Sequence, residues 1–270
     1  MTDDTQAPIG IFDSGVGGLT VLKAIRARLP GEHLVYLGDT ARLPYGTKSP
    51  ASIARYAEQA TARLLDEDIR LLVVACNTAS AVALEALRAA VSPLPVIGVV
   101  EPGAEAAVVA RPGGRHLVLA TETTVRLGAY RRAIARLDPA AEVRELPCEL
   151  LVALAEEGWT EGVEAESVVR RYLAAVEQSD YHPDSIILGC THFPLLRDVI
   201  AACAPAGTSI VDSAETTARF VESQLADTAA KGVRGALKLL ATDGASRFAR
   251  VGGQFLGERL EESAIEIVDL

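Results

Sequence analysis

The sequence lacks the features that would place a protein of this size in a membrane, on nucleic acid or outside the cell. No apolar run is long enough to cross a bilayer, and residues 1–6, Met-Thr-Asp-Asp-Thr-Gln, are polar rather than a signal peptide. The net charge of −10 argues against a broad nucleic-acid surface. The four cysteines show no Cys-x-x-Cys spacing, which argues against a zinc knuckle or a secreted disulfide framework. We therefore expect a cytoplasmic protein with no direct contact to nucleic acid or membrane.

Motifs for common cofactors are also missing. The glycine loop 14–18 is not Gly-x-Gly-x-x-Gly, and no acidic residue follows a second strand at the required offset, which argues against a dinucleotide. None of the lysines follows a strand beside a phosphate-binding loop, which argues against a pyridoxal Schiff base. The lysines are Lys23, Lys48, Lys231 and Lys238. The sequence predicts no metal and no organic cofactor.

What is present is a repeated alternation of strand and helix patterns. The chain has 270 residues, 49% of them hydrophobic, which is enough for one large domain or two small ones. The alternation predicts mainly parallel sheets flanked by helices. We expect two pseudo-symmetric, three-layer α/β domains with the active site in the cleft between them. The first spans residues 1–97 plus 208–270, and the second spans residues 98–207. Helices are predicted over 123–137 and 245–251.

The first strand-to-helix junction of interest follows the apolar run Leu71-Leu-Val-Val-Ala. This run predicts a strand buried on both faces, and it leads into Cys76-Asn77-Thr78 and then into strong helix formers. In open α/β sheets the carboxyl edge of the strands is where ligands bind. Free N–H groups at a helix start lower a thiol pKa and hold anions.

A second junction has the same form. The run Ser185-Ile-Ile-Leu-Gly leads into Cys190-Thr191-His192, and Pro194 is expected in the first turn of the next helix. A single cysteine at such a place is often only a buried structural residue. Two in matching positions favour a pair of thiols that face each other across one ligand.

Two facing thiols can invert a stereocentre. One, as a thiolate, removes the α-proton of an amino acid from one face, and the other delivers a proton to the opposite face, with no cofactor required. The α-carboxylate needs hydrogen-bond donors, and carboxylates are needed to orient the thiols or to bind the ammonium group. The candidate donors are Ser14, Asn77, Thr78 and Thr191, and the candidate carboxylates are Asp13 and Glu156.

Two of these candidates have structural alternatives. His192 could exchange a proton with Cys190 or hold it as a thiolate, and it could equally be a capping or core histidine. Asp13 could be a helix cap instead of a functional carboxylate.

A set of motifs in chain order carries a family resemblance. The motifs are Ile11-Phe-Asp-Ser-Gly-Val-Gly-Gly18, Gly38-Asp-Thr-Ala-Arg-Leu-Pro-Tyr-Gly46, Ala75-Cys-Asn-Thr-Ala-Ser80, Gly98-Val-Val-Glu-Pro-Gly103 and Leu188-Gly-Cys-Thr-His-Phe-Pro-Leu195. Together they resemble bacterial glutamate racemase over the whole chain. The resemblance implies a cofactor-independent, two-cysteine enzyme that interconverts L- and D-glutamate, supplies D-glutamate for peptidoglycan and forms a homodimer. Some relatives also act on DNA gyrase, which here would require a protein contact.

The resemblance also implies residue roles. Cys76 and Cys190 become the acid/base pair, with Asp13 and His192 as their assistants. A helper glutamate falls at Glu156 or Glu157, and the spacing to Cys190 favours Glu156. The implied ligand contacts are Asp13, Ser14, Tyr45, Gly46, Asn77, Thr78, Thr191 and His192. Glu149 departs from the family pattern, which commonly has proline or an apolar residue there, and it puts the local helix geometry in question.

Other functions remain open at this point. An aspartate racemase, or another amino-acid racemase of the family, would share the paired cysteines, but it typically has an acidic residue where His192 stands. A non-catalytic amino-acid-binding or regulatory protein could use the same fold. Both cysteines being intact argues against that alternative.

Overall fold

Two parallel sheets form the frame of the protein. The computed structural model describes residues 7–178, 181–226, 229 and 234–270. Residues 1–6, which carry the expectation about a signal peptide, lie outside them. The strands are β1 (Ile9–Asp13), β2 (Leu34–Gly38), β3 (Leu71–Val74), β4 (Val96–Gly98), β5 (Arg115–Ala120), β6 (Glu142–Pro147), β7 (Ser185–Gly189), β8 (Ser209–Asp212), β9 (Leu237–Ala241) and β10 (Ile265–Ile267).

Helices separate the strands along most of the chain. They are α1 (Leu19–Arg28), α2 (Pro50–Leu65), α3 (Asn77–Ala90), α4 (Val100–Ala110), α5 (Glu122–Leu127), α6 (Ala129–Leu137), α7 (Glu149–Glu157), α8 (Gly162–Glu177), α9 (Arg197–Cys203), α10 (Ser213–Gln224) and α11 (Ala245–Leu256). No helix in the described part of the chain is long and apolar enough to span a bilayer.

The two sheets repeat one strand order. The first runs β10-β9-β2-β1-β3-β4 and the second runs β6-β5-β7-β8, so each half contains the order 2-1-3-4 with every pair parallel. Strands β1 and β3 are buried at every position, as expected for strands covered on both faces. The predicted pair of pseudo-symmetric α/β domains is confirmed.

The strand order puts the two cysteines in equivalent places. Cys76 follows β3, and Cys190 follows β7, the corresponding strand of the second sheet. In each half this strand lies beside the first strand of the sheet repeat, β1 or β5. The connections on either side of that point run in opposite directions, and this opens a crevice at the carboxyl ends of the two strands. The sequence repeat therefore corresponds to a repeat of topology.

One strand differs from the expected domain division. The division at residue 208 places β8 in the first domain, but β8 pairs with β7 over Ser185↔Ser209 to Leu188↔Asp212. The chain returns to the first sheet only at β9. An apolar strand pattern does not say which sheet edge will satisfy its backbone hydrogen bonds, and here the free edge beside β7 does so. The division into 1–97 plus 208–270 and 98–207 otherwise stays a prediction.

Two predicted helices also differ in extent. The helix expected over 123–137 is divided into α5 and α6 by Gly128, whose φ of 59° is left-handed and interrupts a right-handed helix. Helix α11 continues five residues beyond the predicted end at 251, because Phe255 and Leu256 are buried against the core.

Candidate active site

A cavity of about 310 Å³ lies between the two domains. Its volume is at the small end of ligand pockets and suits an amino acid better than a nucleotide. Loops after strands of both sheets line it. The lining residues are Ser14, Leu43, Pro44, Tyr45, Gly46, Thr47, Cys76, Asn77, Thr78, Thr121, Glu149, Val152, Ala153, Glu156, Cys190, Thr191 and His192.

Cys76 lies at the N-terminus of α3, as expected. Its Sγ accepts the N–H of Ala79 at 3.4 Å and lies 3.6 Å from Oγ of Ser14. Burial raises the pKa of the Cys76 thiol to about 12, and the negative charge of Asp13 adds to the rise, while the N–H of Ala79 and the hydroxyl of Ser14 oppose it. In the unliganded protein Cys76 is therefore a thiol near neutral pH.

Cys190 has a different setting. A 3-10 turn over Phe193–Leu196 follows it, and α9 begins only at Arg197, so the predicted first turn around Pro194 is 3-10 instead of α-helical. The Sγ of Cys190 lies 3.8 Å from Nδ1 of His192. The two thiols thus have unlike partners, a helix start for Cys76 and an imidazole for Cys190.

His192 connects Cys190 to a carboxylate. Its Nε2 lies 3.2 Å from Oε1 of Glu156, and its ring packs edge-on against Phe255. Burial alone would lower the pKa of His192, but hydrogen bonds to Cys190 and Glu156, together with the charges of Cys190 and Asp13, raise it to about 10. The imidazole is therefore protonated at neutral pH. Its contacts do not match the capping alternative, since its side chain caps no helix.

The two candidate helper glutamates have different surroundings. Glu156 lines the cavity and contacts His192, whereas Glu157 is exposed. The hydrogen bond to His192 lowers the pKa of Glu156 despite partial burial, so the carboxylate is ionised. Glu149, the residue that departs from the family pattern, begins α7, where its negative charge suits the positive end of the helix dipole.

Asp13 is fully buried behind the cavity wall instead of lining it. Its Oδ2 accepts the N–H of Gly15 at 3.0 Å, so it holds the glycine loop that leads into α1. Burial raises the pKa of Asp13, while His192 and nearby backbone N–H groups oppose the rise. This placement supports an electrostatic action on Cys76 and does not support the expected direct contact between Asp13 and a ligand.

Polar side chains meet across the domain boundary. Nδ2 of Asn77 donates to the hydroxyl of Tyr130 at 2.8 Å, and Oγ1 of Thr78 lies 2.9 Å from Oγ1 of Thr121. Thr123 donates to the carbonyl of Gly46 at 2.6 Å. These contacts join the loop after β3 and the loop around Tyr45 to the second domain. Gly46 and Thr191, which are expected to contact the ligand, lie in the cavity wall.

Several residues at the site were not predicted from the sequence. Thr121 directly follows β5, as Ser14 follows β1, so the strand-end pattern could have found it. Asp39 is fully buried and accepts the hydroxyl of Tyr45 at 2.5 Å and Nε of Arg42 at 2.7 Å, which holds the loop that lines the cavity. Arg247 is far in sequence from the other residues of the site, and no local pattern indicates that it reaches them.

Comparison with known proteins agrees with the geometry. The model of the Asp/Glu/Hydantoin racemase family matches residues 17–221. The chain belongs to this family. A glutamate racemase from Geobacter metallireducens is 48% identical over 93% of each chain. The structure resembles glutamate racemase from Francisella tularensis in complex with D-glutamate, with a TM-score of 0.89, 34% identity and 98% of each chain covered. It also resembles the Thermus thermophilus enzyme in complex with β-chloro-D-alanine, with a TM-score of 0.87, 42% identity and coverage of 99% of this chain and 98% of that one.

Proposed function

We propose that this member of the family is a cofactor-independent glutamate racemase in which Cys76 and Cys190 act as the acid/base pair. The observation that carries the proposal is that equivalent strands of two facing domains each place a thiol in one small cavity. A ligand between the domains exposes one face to each thiol. Glutamate as the substrate rests on the glutamate racemases that this chain resembles.

Each direction of the reaction begins at a different cysteine. The thiolate of one cysteine takes the α-proton, and the thiol of the other delivers a proton to the opposite face of the planar carbanion. Cys76 is protonated in the unliganded protein, so it is ready to act as the acid. The imidazolium of His192 lies 3.8 Å from Sγ of Cys190, which is the cysteine we propose as the base in this direction. For the reverse direction these protonation states are exchanged.

The walls supply groups that stabilise the carbanion. We expect the first N–H groups of α3 and the side chains of Asn77 and Thr78, which line the cavity, to bind the α-carboxylate as it gains negative charge during proton removal. Thr191 offers a hydroxyl from the other domain. Among the described residues, no group of three or more His, Cys, Asp or Glu side chains could hold a metal ion. We propose that the protein groups alone stabilise the transition state.

The wider setting is also part of the proposal. We infer that the enzyme works in the cytoplasm as a homodimer and supplies D-glutamate for peptidoglycan. A contact with DNA gyrase, which the family resemblance suggests, stays a prediction. Sedimentation velocity on the purified protein tests the dimer, and a single species of 28.4 kDa at micromolar concentration would contradict it.

The decisive experiment is racemisation of L-glutamate in D₂O by purified protein with no added cofactor. With two separate thiols, deuterium appears at Cα of D-glutamate while the remaining L-glutamate stays unlabelled at early times. Label entering both enantiomers from the start would indicate a single base and contradict the mechanism. L-aspartate in a parallel reaction tests the rival substrate, and faster exchange of aspartate would overturn the assignment of glutamate.

A further inference from the structure

An ion pair between the two domains includes Glu156, the residue that contacts His192. Arg247 is on α11, which follows β9 of the first sheet, and Glu156 is on α7, which follows β6 of the second. Nη2 of Arg247 lies 2.7 Å from Oε2 of Glu156. The other carboxylate oxygen, Oε1, lies 3.2 Å from Nε2 of His192. A line of alternating charges therefore runs from Arg247 through Glu156 to His192 and ends at Cys190.

The accessibility of these groups decreases along this line. The side chain of Arg247 is 54% exposed, that of Glu156 is 19% exposed and that of His192 is 10% exposed. Among the described residues, each carboxylate oxygen of Glu156 has one partner, so Arg247 and His192 together hold its rotamer. Without Arg247, the carboxylate would be free to turn toward solvent at the rim of the cavity.

Helix α11 also contacts His192 itself. Phe255 packs edge-on against the His192 ring, with 5.0 Å between the ring centroids and 78° between the planes. Arg247 and Phe255 are separated by two helical turns and share one face of α11. One face of a first-domain helix thus holds both the carboxylate and the imidazole, although both belong to the second domain.

We propose that Arg247 is a positioning residue that acts through Glu156 to hold His192 against Cys190, and that α11 thereby couples the approach of the two domains to proton transfer at Cys190. This inference rests on the proposed racemase function. With Nε2–H of His192 donated to Glu156, Nδ1 is directed toward the sulfur. Arg247 does not line the cavity that holds the two thiols, and it contacts Glu156 instead.

The charges around His192 allow a discriminating measurement. The groups that act on its ring are Cys190, Glu156 and Asp13, and Arg247 reaches it through Glu156. If Arg247 were merely a nearby cation, its repulsion would lower the pKa of His192, and removing it would raise that pKa. If Arg247 positions Glu156, removing it weakens the Glu156–His192 hydrogen bond, and the pKa of His192 falls.

The first arm of the experiment is kinetic and uses Arg247→Gln, Arg247→Lys and the control Arg250→Gln. Arg250 lies on the same helix, is exposed, and makes no ion pair with the described residues. We expect Arg247→Gln to lower kcat about threefold to tenfold with a smaller change in KM, because the lost contact is half-exposed. Arg247→Lys should restore part of kcat, and Arg250→Gln should match the unmodified protein. An unchanged kcat in Arg247→Gln would overturn the proposal.

The second arm does not depend on turnover. The pKa of His192 is measured by NMR titration in the unmodified protein and in the Arg247 variants, and the His192→Asn spectrum identifies its signal among the four histidines. We expect a lower pKa in Arg247→Gln, with recovery in Arg247→Lys. A rise or no change would overturn the positioning role. If the protein fails to racemise glutamate while the His192 pKa still falls, the racemase proposal fails and the contact stands.

Discussion

At the scale of single residues, the two cysteines of the cavity are not interchangeable. Cys76 is held as a thiol by burial and by Asp13, whereas Cys190 lies beside a protonated imidazole. In the proposed mechanism the two directions of the reaction therefore begin at cysteines with unlike surroundings. Substrate binding has to lower the pKa of Cys76 before it can act as a base, and the ammonium group of an amino acid supplies the necessary positive charge.

We predict that Cys76→Ala and Cys190→Ala each lower racemase activity at least about a hundredfold, because general acid–base catalysis commonly contributes about 10²- to 10⁴-fold. The matched control is Cys203→Ala. Cys203 is also buried, but it ends α9 and lies outside the cavity. The measurement is the initial rate of circular-dichroism change from each enantiomer. Activity near that of the unmodified protein in either cavity variant would contradict the two-thiol mechanism.

The raised pKa of His192 predicts a pH dependence of stability. Its folded-state value of about 10 lies above its ordinary value of 6.5, so the protonated ring stabilises the fold. This contribution is complete below pH 6.5 and is lost as the pH rises through about 10.

Urea unfolding of the unmodified protein and of His192→Asn, measured from pH 6 to 10, checks this dependence. The difference in free energy of unfolding between the two proteins should shrink as the pH rises. A difference that stays constant over the range would show that His192 gains no proton affinity on folding. His182→Asn is the control, because His182 is exposed and does not line the cavity.

At the scale of elements, the loop between β1 and α1 is shaped by close approach of the second domain. A Cβ atom at Gly17 would lie 2.3 Å from Oγ1 of Thr191 and 2.5 Å from Nδ1 of His192. Such distances are far inside van der Waals contact. The loop from one domain and the Cys190 loop from the other therefore require glycine at this position.

We predict that Gly17→Ala destabilises the protein by about 1–3 kcal/mol, the usual cost of overpacking a well-packed region. The same loop offers a matched control. At Gly15 a Cβ would meet only the Leu43 side chain, at 3.6 Å, which is ordinary contact. Gly15→Ala should therefore change the free energy of unfolding by less than about 1 kcal/mol. Equal effects of the two substitutions in urea unfolding would show that the approach of Thr191 and His192 is not tight.

At the scale of the whole molecule, the site exists only when both domains are in place. The first domain contributes Cys76 and the Tyr45 loop, and the second contributes Cys190 and His192. Hydrogen bonds such as Asn77–Tyr130 and Thr123–Gly46 cross the boundary. A substrate held between the domains is removed from water, which strengthens the electrostatic contacts that the reaction needs.

We predict that racemase activity survives extensive dialysis against a chelator and treatment that removes pyridoxal phosphate. The reason is that the proposed chemistry is complete with protein groups alone. The measurement is the specific activity before and after dialysis, with a known metalloenzyme treated in parallel as the control. Loss of turnover that returns on adding a metal ion would contradict the proposal.

Local patterns predicted much of the fold and part of the site. The buried strand runs, the two cysteine junctions and the parallel sheets follow from apolar runs and helix formers, which depend on neighbouring residues. The break between α5 and α6 at Gly128 was not predicted. The residues on both sides have helical patterns, and nothing in them indicates that Gly128 is left-handed. The burial of Asp13 behind the wall could not be predicted either, since burial depends on what covers a strand end.

The sequence by itself determined the matched pair of strand-end thiols, the α/β class and the residues that resemble a racemase, because these are properties of short segments and their order. Only the tertiary structure determined that β8 pairs with the second sheet, that Glu156 and not Glu157 contacts His192, and that Arg247 contacts Glu156. The physical reason is that edge pairing, side-chain direction and contacts between domains depend on groups far apart in the chain. The energies of these contacts depend on how the two domains pack together, and no local segment contains that information.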